Sequence, residues 1–166
     1  EIVVIDGKRR FGNNLSFPAG PLRESLKRLD TVDFIVTNSG PTEDGEYLMN
    51  VSPAKFVHPK SGKSYSVEDW PMHKQVHAVA GLGNPGRFFD LLARLGFEIT
   101  RNPFPDHHNF ISEDIHFLDQ LPIIMTEKDA SKCKEFNNNK IWYLTIEAEV
   151  SPKFIEELDN KLKNLS

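Results

Sequence analysis

The sequence predicts an α/β protein, a layered α/β/α lobe with a mostly parallel sheet joined by a β-rich connector to a smaller α/β body. Three observations predict it. From Val76 onward, short apolar runs alternate regularly with helical patterns. Near the start, Ile2-Val3-Val4-Ile5 and Phe34-Ile35-Val36 are continuous apolar runs of the kind that parallel strands bury on both faces. Between these parts, residues 41 to 70 are punctuated by Gly, Pro and Ser, which suits extended, hairpin-like segments.

Composition sets the outer limits. The chain has 166 residues, 39% hydrophobic and 27% charged, enough for one compact α/β domain or two small ones. Twenty basic against 24 acidic residues give a net charge of −4 with no Lys/Arg run, so nucleic acid is excluded as the expected partner. Cys133 is the single cysteine, which forbids an internal disulfide or a thiolate metal cluster and fits a reducing, cytosolic compartment. No stretch approaches the roughly 18 apolar residues that span a bilayer. The chain starts at Glu1, directly on an apolar strand and without a signal peptide, and reads as a soluble fragment of a larger fold.

Taken in order, Ile2 to Ile5 is the first strand and Asp6 to Gly20 a polar loop. Pro21 opens a helix over Leu22 to Leu29, with Leu22, Leu26 and Leu29 on one face. Phe34 to Val36 is the next strand. Tyr47 to Val51, Lys55 to His58 and Ser64 to Val67 are the connector's extended segments. Then follow strand Val76 to Ala80, helix Asn84 to Leu95, strand Phe97 to Thr100, strand Ile123 to Met125, helix Lys128 to Phe136 and strand Ile141 to Ile146. The last helix, Pro152 to Leu165, is capped by Ser151 and carries Phe154, Ile155, Leu158, Leu162 and Leu165 as a stripe that docks on the sheet.

Four stretches carry chemistry. "GLGNPG", residues 81 to 86, spells the G-x-G-x-x-G of a dinucleotide-binding turn. That turn needs an acidic residue about 20 positions on, and Glu98 lies only 12 past Gly86. Asn84 as N-cap and Pro85 at the first helical position explain the pattern as a helix start, whose N–H groups still attract an anion. "FPDHHNF", residues 104 to 110, gathers Asp106, His107 and His108. Adjacent histidines project apart, so no metal is expected there; a locally bonded structural loop and a phosphate-facing loop are the competing readings, and composition favours the first.

"MTEKDA", residues 125 to 130, follows a strand and opens a helix. Thr126 and Asp129 form a capping pattern, and Thr126 to Asp129 also stand at a strand's carboxyl end, where open α/β sheets place ligands. Cys133, one turn on, reads as a small buried residue. "PAGPLRE", residues 18 to 24, sets Arg23 and Glu24 at a helix start, where an Arg either pairs with a surface carboxylate or clamps a phosphate.

In order, "VVIDG", "FGN", "FPAGPLRE", "VDFIVTNSG", "VHAVAGLGNPGRFFDLL", "FPDHHNF", "MTEKDASKC" and "WYL" resemble the carboxyl half of the tetraacyldisaccharide 4′-kinase family, across nearly the whole chain. In that family the turn commonly reads G-x-G-N-P followed by a residue other than Gly, which makes Gly86 and the dinucleotide pattern incidental. The resemblance implies ATP and Mg²⁺ as cofactors, with their principal ligands outside this chain. It implies phosphorylation of the 4′-hydroxyl of a tetraacylated glucosamine disaccharide 1-phosphate, a lipid A precursor, at the cytoplasmic face of the inner membrane. The expected partners are that lipid, the membrane surface and a missing N-terminal P-loop lobe of the same polypeptide.

By the same resemblance, residues 1–40 are the tail of the nucleotide-binding lobe, 41–70 the β connector and 71–166 the C-terminal α/β lobe. Arg23 steadies phosphate, Glu24 positions it or accepts a hydroxyl, and His107, with His108 second, approaches the γ-phosphate. Asn13, Asn84, Asp106, Thr126 and Lys128 support substrate or phosphate. Ser25 stands where the family commonly has Pro. No G-x-x-x-x-G-K-[ST] occurs; "HPKSGKSY" has a G-K-S without the first Gly, so the fragment alone is expected to transfer no phosphate. The alternatives are a dinucleotide-binding module using the GLGNPG turn and a noncatalytic interaction domain.

Overall fold

A computed structural model describes residues 1–164. The chain forms two compact units, residues 1–52 with the stretch from Glu147 onward, and residues 53–146. This division runs differently from the boundaries expected above. The strand that opens the expected connector, β3 (Glu46–Val57), contributes to both units, and so does β8 (Ile141–Val150), which lies outside it.

In the first unit, β1 (Ile2–Asp6), β2 (Phe34–Asn38) and the start of β3 run parallel, pairing Ile2 with Phe34 and Ile35 with Glu46. Only Ile5 of β1 is buried, whereas Ile2 and Val4 are 44% and 56% exposed, so the buried strand read from the apolar run is half open. The small core is Phe34, Val36 and Phe154, flanked by Tyr47, Met49, Val150 and Leu158.

The last helix, Pro152–Lys163, supplies Phe154 to this core, so it belongs with the first unit rather than with the lobe that precedes it in sequence. Its Ser151 cap accepts from the Phe154 N–H, with Pro152 in the first turn as predicted. Ile155 and Leu162 of the expected stripe are exposed, and Leu165 lies outside the described residues.

The helix expected over Leu22 to Leu29 is instead a 3-10 helix, Leu26–Thr31, capped by Ser25. Leu22 is drawn away to bridge Ser16, with its carbonyl accepting the Phe17 N–H at 2.7 Å. Local pairing satisfied these backbone groups and displaced the helix start by a turn.

The second unit holds the larger core. The end of β3 pairs antiparallel with β4 (Ser64–Ser66), and β5 (Gln75–Ala80) lies between β6 (Glu98–Pro103) and β7 (Ile123–Thr126), all parallel, with β8 parallel beside β7. α1 (Gly86–Arg94) and α2 (Glu127–Lys132) follow β5 and β7. Val76, Ala78 and Ala80 pack with Phe56, Trp70, Leu92 and Trp142, while Val79 packs with Ile115, Ile123, Met125 and Ile141. A strand covered on both faces explains the unbroken apolar run. α2 ends at Lys132, short of the expected Phe136, because the chain turns at Cys133.

Candidate functional site

Parallel strands end on the same edge of a sheet, and there three of the segments singled out above meet. The GLG turn leaves β5, the loop 104–110 leaves β6 and the TEKD segment leaves β7. The approach is close. The Gly81 N–H donates to Asp129 Oδ2 at 2.9 Å, and a Cβ on Gly81 would stand 3.3 Å from both Asp129 Oδ1 and the Pro105 carbonyl. Gly83 is 3.5 Å, on the same measure, from Asp106 Oδ2. The first two glycines therefore serve close packing of the turn against a neighbouring loop.

α1 begins at Gly86, with Pro85 at its N-cap in helical conformation, one residue after the Asn84 expected there. Asn84 is exposed on the turn just before the helix. Its neighbouring N–H groups carry the positive end of the helix dipole.

The loop after β6 is built around His107, whose backbone lies in the left-handed region at φ 59° and whose side chain is 78% exposed. Asp106 Oδ1 accepts the His107 N–H at 2.9 Å and Lys128 Nζ at 3.3 Å. The Lys128 bond, with the nearby His107, holds the Asp106 carboxyl below its usual range. His108 turns inward: Nε2 meets Asp114 Oδ2 at 2.8 Å and the ring packs on Phe104 and Phe110. Asp114, which also accepts the Ile111 N–H, is lowered first by that backbone bond and then by His108.

α2 closes the arrangement. Thr126 accepts the Asp129 N–H and donates to Asp129 Oδ2 at 2.8 Å, the reciprocal capping read from the sequence. Asp129 is fully buried, and its Oδ1 accepts no hydrogen bond among the described residues. Lys132 Nζ stands 3.7 Å from that oxygen and donates to the His108 carbonyl at 2.8 Å. Cys133 is buried beside it, and burial pushes its thiol up to about 11, which suits the packing role expected of it.

The structure thus brings together Asn84, Asp106, His107, His108, Thr126 and Lys128 at one strand edge. Asn13, Arg23 and Glu24 belong to the other unit. Arg23 and Glu24 are exposed in the bend before the 3-10 helix rather than at a helix start, and Glu24 lies 3.4 Å from Arg28 Nε. The Asn13 amide is spent inside its own loop, on the Ala19 carbonyl and the Leu15 N–H. "HPKSGKSY" forms the β3–β4 hairpin turn, where His58 Nδ1 accepts the Lys60 and Ser61 N–H groups, so it is no phosphate cradle.

Lys132 and Asp114 escaped sequence reading. Lys132 is signalled only by its three-residue spacing from Asp129, and Asp114 by nothing local. Among the described residues no three His, Cys, Asp or Glu side chains converge as a metal site.

The fold and this edge define an α/β protein whose strand edge gathers a helix start, an exposed imidazole and a lysine, chemistry suited to an anion. Comparison with known proteins narrows the class. The family profile LpxK, tetraacyldisaccharide-1-P 4'-kinase, matches residues 1–163, and the chain belongs to that family. A tetraacyldisaccharide 4'-kinase of Ruthia magnifica subsp. Calyptogena magnifica is 45% identical over 162 residues, covering 98% of this chain and 51% of that protein. One of Hahella chejuensis is 42% identical over 166 residues, covering 99% and 49%.

The chain therefore spans about half the length of the curated relatives it matches. Among solved structures, the "apo" form of LpxK from Aquifex aeolicus, crystallised with ATP, aligns with a TM-score of 0.71 at 20% identity. It covers 94% of this chain and 50% of that one, and shares the fold. Family membership favours the kinase reading over the dinucleotide and interaction-domain alternatives.

Proposed function

We propose that this chain is the carboxyl-terminal part of an ATP-dependent lipid kinase, which phosphorylates the 4′-hydroxyl of a tetraacylated glucosamine disaccharide 1-phosphate in lipid A synthesis. The end-to-end family match over residues 1–163 carries the reading. The cluster around His107 supports it, since an exposed imidazole beside a lysine and a helix start is chemistry for meeting a transferring phosphoryl group.

The described residues of this chain do not fit a nucleotide cradle or a Mg²⁺ site, so ATP and Mg²⁺ are assigned to the P-loop lobe of the same polypeptide. In that enzyme, in-line transfer rests on positioning and charge neutralisation. His107, with His108 behind it, faces the γ-phosphate; Arg23 steadies phosphate, Glu24 positions it or accepts the hydroxyl proton, and Asn13, Asn84, Asp106, Thr126 and Lys128 support substrate. Lobes divided near residues 40 and 70 remain the functional division proposed for the intact enzyme.

The membrane partner is the cytoplasmic face of the inner membrane, bound peripherally. Leu15 and Phe17, 51% and 81% exposed on a self-bonded loop, with the exposed Lys8 and Arg9 before them and Arg23 after them in sequence, support that reading. A radiolabelled ATP assay tests the function. The intact kinase should lose turnover on His107→Ala or Arg23→Ala with its circular dichroism intact, and this chain alone should transfer nothing above background. Unimpaired variants would displace the site, and lipid phosphorylation by the chain alone would refute the division of labour.

A further inference from the structure

His107 holds the left-handed region, an uncommon conformation for a residue other than glycine, and the surrounding bonds explain how it stays there. The Asp106 carboxylate, on its amino side, is held by Lys128; the His108 carbonyl, on its carboxyl side, is held by Lys132. Both lysines come from α2, so one short helix grips the loop on either flank of His107 while the imidazole stays in solvent. What aims Lys132 is Asp129. A fully buried carboxylate with one oxygen lacking a hydrogen-bond partner demands a nearby cation, and the half-buried Lys132 ammonium is 3.7 Å away. An ammonium has three donors, so facing Asp129 leaves one for the His108 carbonyl. Asp129 is itself fixed by the Gly81 N–H and the Thr126 hydroxyl, which ties the grip to the ends of β5 and β7.

We infer that Lys132, aimed by Asp129, is a positioning residue that holds the 106–108 turn and so presents His107 to the reacting phosphoryl group. The role of His107 rests on the function proposed above; the grip itself rests on the geometry. Lys132 touches no reacting atom. Its loss frees the His108 carbonyl and lets the loop leave the left-handed conformation, which displaces the imidazole without removing it.

The test uses Lys132→Met, with Lys132→Arg as the variant that keeps the charge and the donors. In this chain, NMR order parameters at residues 106–108 should fall in Lys132→Met from about 0.85, typical of rigid backbone, toward 0.6, and stay unchanged at Ala78–Ala80 in the core of β5. In the intact kinase, kcat should fall about 10-fold while the KM for ATP stays within about 2-fold, because the loss is of orientation and not of binding. Lys132→Arg should restore both. Unchanged order parameters in Lys132→Met would overturn the inference, and so would a loosened loop with unchanged kcat. If His107→Ala leaves kcat untouched, the proposed role of His107 fails, and the order parameters alone then decide whether Lys132 grips the loop.

Discussion

The two units solve the same problem, a few parallel strands needing cover, with different means. The unit of residues 53–146 buries aromatic and aliphatic side chains on both faces of β5, with Phe56, Leu92, Ile123 and Met125 fully enclosed. Among the described residues the other unit buries four hydrophobic side chains, Ile5, Phe34, Val36 and Phe154, and supplements them with charge: Arg10 grips Glu46 through both terminal guanidinium nitrogens, at 2.8 and 2.7 Å, and Thr37 donates to the same carboxylate at 2.6 Å. The difference teaches where each unit is vulnerable. One is sensitive to lost volume anywhere in a broad core, the other to a handful of ring contacts and to protons.

The sharpest way to break that contrast is to delete one ring from each side. Phe56 is fully buried and packs on Trp70 and Phe97, at 4.6 and 5.3 Å between ring centroids. Phe154 packs on Phe34 and Tyr47, each at 5.4 Å. Each Phe→Ala change should cost about 3–5 kcal/mol. Hydrogen exchange separates them: Phe154→Ala should strip protection from β1 and β2 while β5 and β7 keep theirs, and Phe56→Ala should expose β5. Equal loss across both units in the Phe154 variant would show that they unfold as one.

Much of the larger unit was legible in the sequence, because its signals are strong and regular. Strands buried on both faces read as unbroken apolar runs, and Thr126 and Asp129 announced their capping three residues apart. The smaller unit was read less well. Its last helix returns from the far end of the chain, and nothing local says that Phe154 belongs beside Phe34. The 22–29 helix failed for a related reason, since the pairing of Leu22 with Ser16 outweighs a weak helical periodicity. For the candidate site, the loops were found by residue type, but their ties were not. Asp114 and Lys132 meet His108 from segments 6 and 24 positions away in sequence.

A smaller effect sharpens the contrast through pH. Arg10, as the strongest influence, with the Glu43 N–H and the Thr37 hydroxyl, lowers the Glu46 carboxyl from its usual 4.5 to about 2. A depressed folded pKa gives stability that is fully present above about pH 4.5 and lost as the pH falls toward 2. The first unit should therefore lose hydrogen-exchange protection in β2 across that window, by on the order of 2 kcal/mol. Glu46→Gln should already show the weakened state at pH 7 and flatten the acid response. A variant that keeps the wild-type acid response would remove Glu46 from the account.

The smallest effect compares backbones rather than cores. In the first unit's loop the left-handed positions are Arg10 at φ 49°, Gly12 at φ 64° and Asn14 at φ 63°; in the second unit's loop His107 occupies φ 59°, a type that, like asparagine, is enriched there among non-glycine residues. For an ordinary L-residue that region costs roughly 1–2 kcal/mol, and glycine avoids the cost. Glycine also loosens the unfolded chain, which takes back about 0.4–1 kcal/mol. His107→Gly should therefore leave stability unchanged or raise it by up to about 1.6 kcal/mol, read from the urea midpoint. His107→Ala, which keeps the Cβ and the strain, should gain nothing. Both variants remove the imidazole, so both should lower turnover in the intact kinase alike. A glycine variant that is less stable than the alanine one would mean that the left-handed turn at 107 carries no strain for an L-residue, and that the loop needs no holding on that account.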